Sequence, residues 1–199
     1  MIINFNAEIA RKSVHLSSLW IPLLYLYTAK ETTLLILLPL TIISVTIDFS
    51  RRFIPKLNNL INHLIGYMMR DNEKELFAFS GATNMLIAAS LTIIFFSQEA
   101  AILALTILMI SDSFAAIIGR KFGKIILIDG KSLEGSLSFA ASAIMVYYFF
   151  NLYYHYDLPL DLSLLAIFAA TIAELFAKKI HLDDNLVIPL IIGIVLSLG

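Results

Sequence analysis

The sequence predicts an all-α fold, namely a polytopic membrane bundle of about seven transmembrane helices, and two features of its composition lead there. Of the 199 residues, 59% are hydrophobic and only 15% are charged, whereas soluble domains carry about 25% charged residues. A mean hydropathy of +0.87 means more apolar side chain than one compact core can cover, so the surplus needs lipid as its solvent. With no internal repeat or domain boundary, residues 1–199 should form a single membrane-embedded domain.

The charge and cysteine counts exclude several classes of function. A formal net charge of -1 gives no overall basic field, so we expect no nucleic-acid partner. The chain has no cysteine, which excludes a disulfide framework, a thiolate metal site and a cysteine nucleophile. Histidine, carboxylate and lysine chemistry remain.

Seven apolar stretches, separated by clusters of charge, are long enough to cross a bilayer. A hydrocarbon core about 30 Å thick needs roughly 17 to 25 residues of helix. The predicted spans are residues 12–29, 32–48, 76–96, 100–119, 136–154, 162–178 and 184–199. The first has Arg11 and Lys12 before its apolar run, as a signal peptide would, but no small-residue cleavage site follows, so we predict a helix.

The basic residues orient the predicted spans. When loops are assigned alternately to the two sides, 13 of the 14 basic residues fall on one side and Lys30 falls on the other. The 13 are Arg11, Lys12, Arg51, Arg52, Lys56, Arg70, Lys74, Arg120, Lys121, Lys124, Lys131, Lys178 and Lys179. Because basic loops are held in the cytoplasm, we predict a cytoplasmic N-terminus and an outside C-terminus, in the cell membrane if the source is a prokaryote.

Two predicted cytoplasmic segments are long enough to have roles of their own. Residues 49–75 place apolar side chains at helical spacing with basic ones between them, which is typical of an amphipathic helix at the membrane interface. Residues 119–136 are rich in glycine and lysine around a short apolar run. We therefore predict an interfacial segment at 49–75 and a ligand-binding loop at 119–136.

The acidic residues in or next to the spans lie towards the predicted cytoplasmic side. They are Asp48, Asp112, Glu134, Glu174, Asp183 and Asp184. A polar stripe at positions i, i+3, i+4 and i+7 also follows one face of the first helix. It consists of Glu8, Arg11, Lys12 and His15. A transporter needs polar groups along a crossing path or at the midplane, so this one-sided clustering favours a site at the cytoplasmic membrane face, where a lipid headgroup and a water-soluble reactant meet.

The chain around the second segment has the residue types that bind phosphates. Asp112 shares one face of the fourth span with small residues, which keeps the acid accessible. Glycines free backbone N–H groups, the helix that begins near Gly135 presents its positive end, and Lys124 and Lys131 supply cations, which together suit a polyphosphate. The residues concerned are Gly119, Arg120, Gly123, Lys124, Gly130, Lys131, Ser132, Glu134, Gly135 and Ser136.

One motif match in this stretch is rejected. Gly130-Lys131-Ser132 resembles the end of a Walker A loop, but that motif needs a glycine five residues before Gly130. Position 125 is isoleucine, so the stretch is not a P-loop.

Four blocks of residues carry a family resemblance. They are Glu8-x-x-Arg11-Lys12-x-x-His15; Asp112-x-x-Ala115-x-x-x-Gly119-Arg120-x-Phe122-Gly123-Lys124; Lys131-Ser132-x-Glu134-Gly135-Ser136; and Glu174 followed by Asp184-Asn185-x-x-x-Pro189. The pattern resembles the CTP-dependent lipid-alcohol kinases, which include dolichol kinase, phytol kinase and the CTP-dependent diacylglycerol kinase, and more distantly CDP-diacylglycerol synthase. The stretch 125–129 is more apolar than the family pattern.

The resemblance implies a polytopic enzyme that transfers the γ-phosphate of CTP to the hydroxyl of a lipid alcohol. Such a reaction depends on positioning and charge neutralisation. Asp112, with Asp184 or Glu174, would hold Mg²⁺ or another divalent cation through oxygen ligands. The base that takes the hydroxyl proton is left open among Asp112, Glu134 and His15.

The cations and the glycine-rich loop would hold the phosphates of CTP. Lys124 and Lys131 would grip the triphosphate, and the polar stripe of the first helix would complete the cage, with Glu8 fixing its orientation. The predicted nucleotide-binding residues are Arg11, Lys12, Gly119, Arg120, Gly123, Lys124, Lys131, Ser132, Gly135 and Ser136. Asn185 is a supporting residue beside Asp184.

Two other functions fit parts of this pattern. A cytidylyltransferase would use the same nucleotide and metal, but a lipid phosphate would attack the α-phosphorus and release pyrophosphate. A small transporter or membrane assembly subunit would need no such chemistry. The first and third blocks favour the kinase, and the nearly apolar outer halves of the spans argue against transport. Two expectations come from the resemblance alone: the preference for CTP and the acceptor class, which is a polyprenol or dolichol, a phytol-type alcohol, or diacylglycerol. The sequence does not determine an oligomeric state.

Overall fold

The computed structural model describes residues 5–69, 79–177, 179 and 182–199, which form nine α-helices and one two-stranded β-hairpin. The elements are α1 (Phe5–Ser17), α2 (Trp20–Tyr27), α3 (Lys30–Ser50), α4 (Pro55–Ile65), α5 (Gly81–Phe95), α6 (Gln98–Phe122), β1 (Ile126–Ile128), β2 (Lys131–Ser132), α7 (Leu133–Tyr154), α8 (Leu160–Phe176) and α9 (Asp184–Leu196). Three basic residues that contribute to the predicted orientation lie outside the described residues, namely Arg70, Lys74 and Lys178. So do residues 70–75 of the predicted interfacial segment and residues 76–78 of the predicted third span.

Helix α6 forms the centre of the bundle. Nearly every side chain from Ala100 to Ser113 is buried, on all sides of the helix, as expected for a helix that is apolar all round and surrounded by protein. Helices α1, α2, α5, α7 and α9 pack against it, α8 packs against α7 and α9, and α3 packs against α5. Side chains on α6 can therefore meet groups from distant parts of the sequence.

The helices confirm the all-α prediction. Among the described residues, Lys30–Ser50, Gln98–Phe122 and Leu133–Tyr154 are long and apolar enough to cross a membrane, and Gly81–Phe95 and Asp184–Leu196 are shorter apolar helices. Each of the five coincides with one predicted span. The count of seven spans and the orientation of the termini stay predictions.

The first predicted span, 12–29, is wrong as a single helix. A turn at residues 18 and 19 separates α1 from α2. Pro22 explains the break, because its ring would clash with the Ser18 carbonyl four residues earlier and it has no N–H to donate. The Ser18 carbonyl accepts instead from the Ile21 N–H at 2.9 Å. The polar stripe therefore lies on a short helix of its own.

Small residues let the end of α6 and the start of α7 cross at backbone distance. A Cβ atom added at Gly135 would lie 3.0 Å from the Ala115 carbonyl oxygen and 3.2 Å from the Gly119 Cα. One added at Gly119 would lie 3.1 Å from Ser132 Oγ. Side chains at either position would push the helices apart. The small face beside Asp112 thus packs against α7.

The predicted ligand-binding loop contains the short hairpin, which was not predicted from the sequence. β1 and β2 are antiparallel, and Asp129 and Gly130 between them have positive φ angles of 50° and 83°. Two left-handed residues define a type I′ turn, for which an Asp-Gly pair is a strong sequence signal.

Helix α4 lies within the predicted interfacial segment. It has no buried residue, and apolar side chains such as Leu60 and Leu64 are more than half exposed. A helix with this character suits the membrane interface, and its location there stays a prediction.

The predicted orientation can be tested by cysteine labelling, because the chain has no cysteine of its own. We expect Asn59→Cys on α4 to react with an impermeant maleimide from the cytoplasmic side only, and Asp157→Cys in the α7–α8 loop from the outer side only. Both native side chains are exposed. Labelling of right-side-out and inverted vesicles measures the sidedness, and reaction of both positions from one side would contradict the seven-span arrangement.

Candidate active site

The polar stripe of α1 lies against α6. The Lys12 ammonium forms an ion pair with the Asp112 carboxylate, and both side chains are more than nine-tenths buried. His15 Nε2 lies 3.6 Å from Asp112 Oδ2 and 3.3 Å from the Leu108 carbonyl oxygen. Helix α1 thus brings a cation and an imidazole to an acid that is 100 positions away from Lys12 in the sequence.

Glu8 joins α1 to the last turn of α6. Its Oε1 accepts from Arg11 Nη2 at 2.5 Å, and its Oε2 lies 3.0 Å from Arg120 Nη2. Burial alone would raise the pKa of Glu8, but the charges of Arg11, Arg120 and Lys12 lower that pKa below its ordinary value. The Glu8 carboxylate is therefore ionised at neutral pH and bridges the two arginines.

Lys131 connects the hairpin to α8 and α9. Its Nζ lies 2.5 Å from Glu174 Oε1, donates to the Glu174 carbonyl oxygen, and lies 4.0 Å from Asp184 Oδ2. Glu174 belongs to the last turn of α8, and Asp184 is the first residue of α9. One lysine therefore faces acids from two helices.

Asp112, Glu174 and Asp184 form a buried group of acids. They are near enough for their charges to interact, and each is at most 7% exposed. Buried ions cost several kcal/mol each unless they are paired, and Lys12 and Lys131 supply that pairing. Carboxylate oxygens are the ligands that Mg²⁺ prefers, although no three His, Asp or Glu side chains in the described part of the chain are grouped closely enough to hold a metal ion as they stand.

The glycine amides that we expected to face a phosphate donate within the protein. The Gly123 N–H donates to the Gly119 carbonyl at 3.1 Å, and the Gly135 N–H donates to Ser132 Oγ at 3.2 Å. Ser132 thereby caps α7. In the first turn of the same helix, the buried Ser136 hydroxyl has no hydrogen-bond partner among the described residues. The glycines serve packing, and Ser136 is a polar group with an unused hydrogen bond.

Glu134 holds the start of the loop. Its carboxylate accepts from the Lys124 N–H at 3.0 Å and from the Ile125 N–H at 3.4 Å. An open cleft of about 440 Å³ lies beside it, lined by Lys121, Phe122, Gly123, Lys124 and Glu134. The Lys124 side chain is exposed. The contacts of Glu134 therefore organise the loop between α6 and α7.

Sequence reasoning missed the contact that fixes the start of α9. Asp183 caps this helix by accepting from the Asn185 N–H at 2.9 Å, and its other carboxylate oxygen accepts from Asn84 Nδ2 on α5 at 3.0 Å. The bond from α5 holds the turn that carries Asp184. A single asparagine inside the apolar span 76–96 was the signal available in the sequence.

Asp48 joins two helix ends. Its Oδ2 accepts from the Ser80 N–H at 2.7 Å, and its Oδ1 lies 3.5 Å from Arg51 Nε. Ser80 precedes α5, so these contacts tie the end of α3 to the start of α5.

Comparison with known proteins gives relatives but no family model and no solved structure. The chain is 31% identical over 188 residues to the uncharacterized protein RP860 of Rickettsia prowazekii, covering 94% of this chain and 92% of that one. It is 31% identical over 208 residues to CTP-dependent diacylglycerol kinase 1 of Saccharomyces cerevisiae, covering 92% and 70%. It is 36% identical over 99 residues to the probable phytol kinase 1 of Oryza sativa subsp. japonica, covering 45% and 32%.

Replacing Glu8 by glutamine should destabilise the protein by about 2 kcal/mol at neutral pH, because two partly exposed arginines lose an ionised partner. The pKa of Glu8 is lower in the folded chain, so its stabilisation is present above the ordinary pKa of about 4.5 and is lost as the pH falls through the folded value. Thermal unfolding in detergent should show the difference between wild type and Glu8→Gln shrinking below about pH 4.5.

The exposed Glu31 supplies the control for this measurement. We expect Glu31→Gln to change the unfolding temperature little at any pH. A Glu8→Gln effect that stays constant between neutral and acid pH would contradict the assigned ion pairs.

Proposed function

Because this chain belongs to the family of CTP-dependent lipid kinases, we propose that it transfers the γ-phosphate of CTP to the hydroxyl group of a membrane lipid alcohol at the cytoplasmic face of the membrane. The observation that carries the proposal is the buried cluster in which Lys12 meets Asp112 and Lys131 meets Glu174. Three of these four side chains are almost completely buried. Burying charge is costly, and clusters of this kind are typical of functional sites.

The acceptor belongs to the class of long-chain lipid alcohols. The named relatives are diacylglycerol kinases and a phytol kinase. We therefore propose diacylglycerol, a phytol-type alcohol or a polyprenol such as dolichol as the acceptor. All three present one hydroxyl next to a long apolar tail, so the same site suits each of them.

In the proposed reaction, the lipid hydroxyl oxygen attacks the γ-phosphorus of CTP, the bond from that phosphorus to the β–γ bridging oxygen breaks, and CDP leaves. The hydroxyl proton passes to Asp112 or His15, which lie side by side. The third candidate, Glu134, already accepts hydrogen bonds from two backbone N–H groups of the loop. We therefore assign the base to the pair of Asp112 and His15.

The cations around the cluster would bind the triphosphate. Lys12 and Lys131 have long, flexible side chains that can turn from carboxylates to phosphate oxygens. Ser136 would donate its unused hydrogen bond to a phosphate at the positive end of α7. The remaining phosphate contacts in this proposal are Arg11, Arg120 and Lys124. Gly119, Gly123, Ser132 and Gly135 would shape the loop that carries these contacts through their packing and capping, and Glu8 and Asn185 would support their neighbours.

The three buried acids are the candidate ligands of a divalent cation. Asp112, Glu174 and Asp184 supply only oxygen ligands, which such a cation prefers, and their side chains would have to move closer together to surround one ion. They would hold Mg²⁺ or a similar ion, which when bound neutralises charge on the transferring phosphoryl group.

Isotope position tests the reaction class. Purified protein would be incubated with a panel of lipid alcohols and lipid phosphates, with CTP labelled at either the α or the γ phosphate. We expect γ label on an alcohol, abolished when EDTA removes divalent cations. Transfer of α label to a lipid phosphate would replace the kinase by a cytidylyltransferase, and transfer of neither label would contradict both enzymes.

Two substitutions test the site. Asp112→Asn and Lys131→Met each remove a charge and nearly keep the shape, and we expect each to lower kcat about 100-fold or more while the protein still inserts and folds. The matched controls are the exposed residues in Asp157→Asn and Lys56→Met, which should keep wild-type turnover. Near-normal kcat in both site variants would show that the site is elsewhere.

A further inference from the structure

The hairpin between α6 and α7 exposes apolar side chains that the rest of the described chain does not cover. The exposed fractions are 57% for Phe122, 54% for Ile125, 60% for Ile126 and 41% for Leu127. These four residues form the hairpin apolar cluster. None of them has a part in the proposed phosphoryl transfer, so their exposure needs a separate explanation.

The strand β1 carries consecutive exposed apolar side chains. Ile126 and Leu127 are neighbours on this strand and both are exposed, and the pairing of β1 with β2 is irregular between Ile126 and Ile128. A two-stranded hairpin is marginally stable in water by itself, so an apolar medium around these side chains would stabilise it.

Cations flank the hairpin apolar cluster. Lys121 and Lys124 are exposed, and Lys121 Nζ lies 5.2 Å from the centre of the Phe122 ring. Apolar and aromatic side chains with neighbouring lysines are typical of segments that bind the surface of anionic membranes. The charge of this region is therefore complementary to lipid phosphates.

The position of the hairpin in the fold agrees with a membrane contact. It joins α6 and α7, two of the helices that are long and apolar enough to cross a bilayer. A short connection between two such helices lies at the level where both leave the hydrocarbon, which is the headgroup layer.

We propose that the hairpin inserts into the headgroup layer of an anionic leaflet, with its apolar cluster among the outer ends of the acyl chains and Lys121 at a lipid phosphate, while Lys124 serves the nucleotide. β1 pairs with β2, which carries Lys131, so insertion fixes the depth of Lys131 relative to a lipid hydroxyl. The role in setting this depth rests on the proposed kinase function, whereas the membrane contact does not.

Tryptophan fluorescence tests the insertion, because the chain has a single tryptophan that can be replaced. Ile126→Trp in a Trp20→Phe background would be reconstituted in vesicles of phosphatidylglycerol and phosphatidylcholine. We expect blue-shifted emission that brominated acyl chains quench and acrylamide does not. Asp157→Trp in the same background is the control in an exposed loop, and acrylamide should quench it.

Two results would overturn the membrane contact. One is emission at position 126 that acrylamide quenches as strongly as emission at position 157. The other is blue-shifted emission that brominated lipid does not quench, because a surface covered by a second copy of the chain or by another protein would give that result. If the protection of position 126 from acrylamide is the same in vesicles of pure phosphatidylcholine, Lys121 does not contribute to the membrane contact.

Enzyme kinetics test whether the hairpin sets the depth of Lys131 in the membrane. A triple variant with Ile125→Ser, Ile126→Ser and Leu127→Ser should raise the KM for a long-chain alcohol in bilayers roughly tenfold. The KM for CTP and the turnover of a short-chain soluble alcohol should stay within about twofold of wild type. An unchanged KM for the long-chain alcohol would overturn this role, whereas failure of wild-type protein to transfer phosphate from CTP would refute the kinase and leave the fluorescence result standing.

Discussion

The buried ion pair between Lys12 and Asp112 is the contact on which the arrangement of the candidate site depends. Neither charge can be left buried alone, because an unpaired ion in that position costs several kcal/mol. Three of the four buried residues of α1 are Glu8, Lys12 and His15, so this helix docks on α6 mainly through charge and little through apolar packing. The break at residues 18 and 19, which Pro22 imposes, separates α1 from the apolar α2 and lets it adopt this position.

A second constraint, backbone contact between α6 and α7, brings the other half of the site to the same place. The close approach at Gly119 and Gly135 sets the start of α7 against the end of α6. The hairpin just before α7 then carries Lys131 to Glu174 and Asp184. The base of the loop is held because the Glu134 carboxylate accepts hydrogen bonds from the Lys124 and Ile125 N–H groups. Small residues and the half-buried Lys131 therefore bring groups from β2, α8 and α9 together beside the contact of α6 and α7.

Much of the fold and some of the site follow from the sequence, and the remainder depends on partners that spacing cannot identify. Hydropathy predicts the apolar helices, and the spacing of the α1 stripe predicts that its polar residues share one face. A shared face does not identify the acid that contacts it. The pairing of Lys12 with Asp112 is therefore seen only in the structure. The bond from Asn84 to Asp183 joins two residues that are 99 positions apart in the sequence. In contrast, Pro22 and the pair Asp129-Gly130 carry local signals. Pro22 marks the break within the predicted span 12–29, and Asp129-Gly130 is typical of the tight turn of a hairpin inside the predicted loop.

The same ion pairs explain how the proposed site would accept a highly charged substrate. A cavity of bare carboxylates would repel a nucleoside triphosphate, and a cavity of bare lysines would bind it without a place for its metal ion. In the structure each lysine is neutralised by an acid. If a metal nucleotide bound as proposed, Lys12 and Lys131 would exchange carboxylates for phosphates, and Asp112 and its neighbours would hold the metal in place of ammonium groups. Each of these charges would then keep a partner of opposite sign, so binding would leave none of these ions unpaired.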